Sequence, residues 1–193
     1  MTIWYTARGA GLAALILLTL ATTLGALGSV KLARPELRVL TQYLHRTAAA
    51  LGLGLLVVHI GAILLDAKAG VGLVGAIVPF ASSYRPGSVA FGSLALYTFL
   101  LVAALGAARG RMAGSVRGAR VWRGFHLLAY VGWGLAMYHG FFSGTDSSVT
   151  WVRGLYVVCL LAVGGAVAVR LSDRPTKRAL EPTAERPLQG AHR

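Results

Sequence analysis

Four of the chain's five histidines, His45, His59, His126 and His139, stand within long apolar stretches and form two pairs, 14 and 13 residues apart. Ionisable side chains are costly in such surroundings and are kept where they hold or move something. An imidazole there can hydrogen-bond between helices, relay a proton or ligate a metal. Zinc, copper and di-iron sites also draw on carboxylates or thiolates. Glu36, Asp66 and Asp146, the acidic residues near these stretches, fall at or beyond their ends, and Cys159 is the only cysteine. It reads as a small buried hydrophobe. A proton relay would also want a carboxylate in the membrane. Two imidazoles facing each other with no other donor suit the axial positions of a haem iron inside a helix bundle.

The elements that must position them are legible from composition. Of 193 residues, 56% are hydrophobic and only 13% charged, too few charges to clothe a soluble domain. The expected fold class is an all-α integral membrane protein, a bundle of about five transmembrane helices: Gly9–Val30, Leu37–Leu65, Ser88–Ala108, Val121–Phe142 and Val152–Leu171. Each has the roughly 20 residues that a crossing requires. The first follows Arg8 but is longer than a signal-peptide core, so it reads as a retained helix. Ala69–Tyr84 has an apolar part too short to cross, and reads as a re-entrant or interfacial piece. Residues 1–171 form the membrane domain. From Ser172 onward the proline-containing tail reads as a disordered basic cytoplasmic segment, with His192 alone in it.

Charge sets the expected orientation. There are 19 Lys and Arg against 6 Asp and Glu. Only Arg8, Lys68, Arg85 and Arg153 fall on one side; the other fifteen fall in the loops after the first and third helices, the adjoining helix ends and the tail. The positive-inside rule then places the chain as a multi-pass protein of the plasma membrane, amino terminus outside and carboxyl terminus cytoplasmic. Trp4, Trp122 and Trp151 near helix ends fit interfacial anchors. The basic residues lie between apolar runs with no aromatic interleaving, which excludes nucleic acid as partner and leaves membrane lipid.

With one crossing between them, the second and fourth helices run parallel. His45 and His126 are then near the cytoplasmic face and His59 and His139 nearer the outside, about 21 and 20 Å further along at 1.5 Å per residue. Fourteen residues return to within about 40° of the starting direction, so His45 and His59 share a face, with Gly52 midway as room for a flat macrocycle or for close helix packing. Thirteen residues give about 220°, so His126 and His139 share a face only if the helix is tilted or distorted, for which Gly132 and Gly134 are the expected place.

The strings "HRTAAALGLGLLVVH" and "HLLAYVGWGLAMYH" resemble the ferric reductase-like transmembrane domain superfamily over about residues 5 to 171. That superfamily includes ferric-chelate reductases, NADPH oxidases and the haem-binding membrane subunit of the bacterial methionine sulfoxide reductase system; respiratory cytochrome b uses a similar four-histidine plan. The resemblance implies two b-type haems, the inner between His45 and His126 and the outer between His59 and His139. Arg46 and Arg123 would meet the inner propionates, Arg8 and Arg153 the outer. Electrons would run from a cytoplasmic flavoprotein reductase or quinol to an extracytoplasmic acceptor. Many relatives have six helices where five are expected here. The oxidoreductase members carry a flavin and nicotinamide domain, for which the residues after the last helix leave no room. FAD or NAD(P)H is therefore expected only on a partner protein. A non-haem transporter or structural subunit, its histidines merely hydrogen-bonded, is the alternative from another class.

Overall fold

The computed structural model describes residues 2–28, 30, 35–112 and 114–172. Among these the chain is all helix and turn, with no strand: α1 (Thr2–Leu27), α2 (Pro35–Leu65), α3 (Gly72–Ile77), α4 (Pro86–Ala107), α5 (Arg109–Met112), α6 (Val116–His126), α7 (Leu128–Ser143) and α8 (Thr150–Ser172). Four of them, α1, α2, α4 and α8, are single helices long and apolar enough to cross a membrane. The tail expected to be disordered lies, beyond Ser172, outside the described residues.

Two departures from the expected boundaries bear on the site. Helix α1 begins at Thr2, not Gly9, so Arg8 is a helical residue. Its charge is met there by an ion pair with Asp146. The expected fourth span is divided into α6 and α7 at Leu127, where the ladder tightens: the Leu127 N–H donates to the Gly124 carbonyl at 3.2 Å and the Tyr130 N–H to that of Leu127 at 3.1 Å. These are three-residue steps of 3₁₀ type. The distortion is therefore beside His126 and not at Gly132 or Gly134. Between α2 and α4, Ala69–Tyr84 holds only the six-residue α3, too short to cross.

The core lies among α1, α4, α7 and α8, where Leu15, Leu18, Phe99, Trp133, Met137, Val152 and Tyr156 interlock. The Trp133 indole N–H donates to Thr19 Oγ1 at 2.9 Å, so the largest core ring leaves no polar atom unpaired. Cys159 is buried in the same cluster. Helix α2 borders it through the half-buried Leu53 and Leu56. It packs along α1 but not along α7, and much of its apolar surface is exposed, with Val39 and Val57 each at 71%. Such a surface is stable against lipid tails and not against water.

Candidate functional site

Across the space between α2 and the α6–α7 unit the histidine rings meet. His45 faces His126 with ring centroids 6.1 Å apart, and His59 faces His139 at 6.3 Å. Among the described residues no hydrogen bond joins either pair. Three of the four rings are instead bonded from behind. The Nδ1–H of His45 donates to the Ala21 carbonyl at 2.7 Å, that of His59 to Ala7 at 2.7 Å, and that of His139 to Ser88 at 2.9 Å. A carbonyl only accepts, so in these three rings Nδ1 carries the hydrogen, and in the neutral ring it is Nε2 that has the lone pair.

Each of these carbonyls is followed four residues later by a glycine: Gly25, Gly11 and Gly92. In an α-helix residue i+4 lies directly beside carbonyl i, so the imidazole must pass over that position to reach the oxygen. A Cβ at Gly11 would stand 2.8 Å from His59 Nδ1, one at Gly92 2.7 Å from His139 Nδ1, and one at Gly25 3.2 Å from His45 Cε1. The glycines are notches that admit the rings.

The notches expose an internal repeat. Gly11, Gly25 and His45 recur 81 residues later as Gly92, Gly106 and His126; Gly52, Gly54 and His59 recur 80 residues later as Gly132, Gly134 and His139. Contacts repeat as well: a Cβ at Gly52 would meet Leu17 and Leu18 of α1, and one at Gly132 would meet Thr98 and Phe99 of α4, the counterpart residues. The second copy is one residue shorter between His126 and Gly132, which is where the 3₁₀ steps lie. Three residues wound at about 2.0 Å and 120° each, in place of 1.5 Å and 100°, recover about 1.5 Å of rise and about 60° of phase. The missing residue is thereby offset, and His126 and His139 reach the same side.

The remaining expected site residues are placed as follows. Gly52 is buried against Leu17 and Leu18 of α1, so its missing side chain serves close helix packing. Arg46 and Arg123 are exposed. Arg8 is paired with Asp146, and Arg153 Nε donates to the Ser147 carbonyl at 2.9 Å. A cavity of about 200 Å³ is lined by His59, His139, Arg8, Asp146, Tyr84 and Phe99 among others. At the other pair, the Arg109 guanidinium lies over the ring of Trp122, and Arg170 donates to the Tyr130 hydroxyl at 3.0 Å. Trp122, expected as an interfacial anchor, has its ring stacked on His126. Sequence reasoning missed the notches and these two arginines, although the 81-residue repeat was there to signal the former.

Among the described residues no three His, Cys, Asp or Glu side chains gather into one cluster. Each site offers two imidazoles and no third protein donor, which suits a metal that brings its own equatorial ligands. Two imidazoles binding one metal from opposite sides, at about 2.0–2.1 Å per nitrogen with the ring centre about 1.1 Å behind it, have centroids about 6.3 Å apart. The observed separations fit that requirement. No protein-family model, curated protein or solved structure matches the chain.

Proposed function

We propose that the chain is a membrane b-type cytochrome, ferric reductase-like in plan, that carries electrons across the bilayer. His45 and His126 would hold an inner haem, His59 and His139 an outer one. The observation that carries this reading is the pair of facing-imidazole separations, 6.1 and 6.3 Å, across a helix bundle. A haem held by these histidines would supply one-electron chemistry, taking up and releasing one electron at a time.

The chain's own residues prepare the sites. The Ala21, Ala7 and Ser88 carbonyls hold three rings in the tautomer whose Nε2 is free to ligate, and a hydrogen bond of this kind raises ligand basicity. The space between α2 and α7 admits a flat group, and Leu15, Leu18 and Phe99 keep the wall beside it dry. With the amino terminus outside and the arginine-rich α5–α6 region cytoplasmic, the donor is a flavoprotein or quinol on the arginine-rich side. The acceptor, an iron chelate, oxygen or an oxidised protein, meets the cavity bordered by Arg8 and Asp146.

The test is the dithionite-reduced spectrum of the purified protein. A sharp b-type α-band with about two haems per chain is the expected result. Colourless protein in full yield would refute the proposal.

A further inference from the structure

Apart from the one missing residue, the repeat is broken in the contacts of His126. By the spacing of the other three notches its acceptor should be the Val102 carbonyl, reached past Gly106. Among the described residues that seat is unused: nothing lies within 4 Å of a Cβ built at Gly106, and His126 Nδ1 is buried with no hydrogen-bond partner. An imidazole without this bond is free to turn about its Cβ–Cγ axis and to exchange tautomers.

Trp122 stands in the seat's stead. Its indole lies on His126 with centroids 4.9 Å apart and planes 19° from parallel. The indole is itself pinned, since its Nε1–H donates to the Leu105 carbonyl of α4 at 3.1 Å and the Arg109 guanidinium lies 5.1 Å from its ring centre. The counterpart of Trp122 in the first copy, 81 residues earlier, is Thr41, whose hydroxyl simply bonds back to the Leu37 carbonyl. The aromatic ring therefore occurs in the copy whose carbonyl seat is unused.

We propose that Trp122 is the positioning residue for His126, fixing by stacking the ring plane that a carbonyl fixes for the other three histidines. The two metal sites are in consequence inequivalent: the His59–His139 site has two ligands with engaged Nδ1–H groups, and the His45–His126 site has one. Ligand basicity is raised by that bond, so the inner site is the weaker donor set and holds its iron with the higher midpoint potential. The inference rests on the haem reading above.

The experiment uses the full chain purified with its haem, in the wild type and in the Trp122→Phe and Trp122→Leu variants. Haem per chain, the low-spin ferric EPR signals and a potentiometric titration are measured. A His59→Ala variant identifies the signal and potential of the inner site. Trp122→Phe keeps a flat ring and should retain both haems with near-native signals. Trp122→Leu removes the stack and should shift the inner signal alone, or lower content from about two haems per chain to about one, with the outer signal unchanged. The inference is overturned if Trp122→Leu leaves the inner signal and potential as they were, if it disturbs both sites equally, or if His59→Ala retains the lower of the two potentials. Wild-type protein without haem would instead overturn the reading beneath it.

Discussion

Replacing Gly92 by alanine sets two known effects against each other. The new Cβ would lie 2.7, 2.8 and 2.9 Å from Nδ1, Cε1 and Cγ of His139, where ordinary contact begins near ~3.5 Å. The ring has to retreat by about 0.7 Å, which stretches its 2.9 Å bond to the Ser88 carbonyl to about 3.6 Å, no longer a hydrogen bond. Losing the bond costs about 1 kcal/mol, and losing the partner of a ligating histidine weakens metal affinity about 10- to 100-fold. Alanine meanwhile favours a helix over glycine by about 1 kcal/mol. The expected outcome is a chain of unchanged or slightly raised stability whose outer site alone is weakened. Haem release to a scavenger such as apomyoglobin should accelerate about 10- to 100-fold for one haem of two. In protein without haem, ¹⁵N NMR of labelled histidine should show one Nδ1–H tautomer giving way to a mixture. Gly106→Ala is the control, because nothing stands within 4 Å of its Cβ. If Gly92→Ala keeps both haems at native release rates, or if Gly106→Ala does equal harm, the notch argument fails.

Other outcomes follow from the same geometry. His59→Ala should remove the outer haem and leave the inner reducible, and His45→Ala the converse; spectral loss of both in either variant would contradict separate sites. Gly11→Ala, with its Cβ 2.8 Å from His59 Nδ1, should reproduce Gly92→Ala, while Gly25→Ala, at 3.2 Å, should be milder in the same release assay. Trp133→Phe removes the bond to Thr19 inside the core and should lower stability by about 1–3 kcal/mol, measured by unfolding in detergent. The Arg8–Asp146 pair has both side chains 27% exposed, so a double-mutant cycle with Arg8→Gln and Asp146→Asn should return no more than about 1 kcal/mol of coupling.

How legible the site was depends on the residue. His45 and His59 lie on one unbroken helix, so counting at 100° per residue was enough to place them on one face. For His126 and His139 the same count required a distortion, which exists, but its place beside Leu127 cannot be read from an average period. Gly52 was ambiguous, since a small residue serves a macrocycle or a helix crossing equally well in sequence; only the neighbouring Leu17 and Leu18 decide it. Arg46 and Arg123 were drawn by adjacency in the chain, yet a helix sends neighbours about 100° apart. Arg109 and Arg170, distant in sequence, are brought to the Trp122 ring and the Tyr130 hydroxyl by the packing of helices.

What the sequence determined by itself was the solvent and the periodicity: long apolar runs with too few charges for water, and four histidines in two parallel helices at matched depths. These depend on local quantities, hydropathy and rise per residue, which each segment carries alone. The tertiary structure decided which backbone carbonyl stands behind each ring, which glycine lets the ring through, and why His126 leans on Trp122 instead. Those depend on the distance between helices, which no single segment encodes and which packing against α1 and α4 sets.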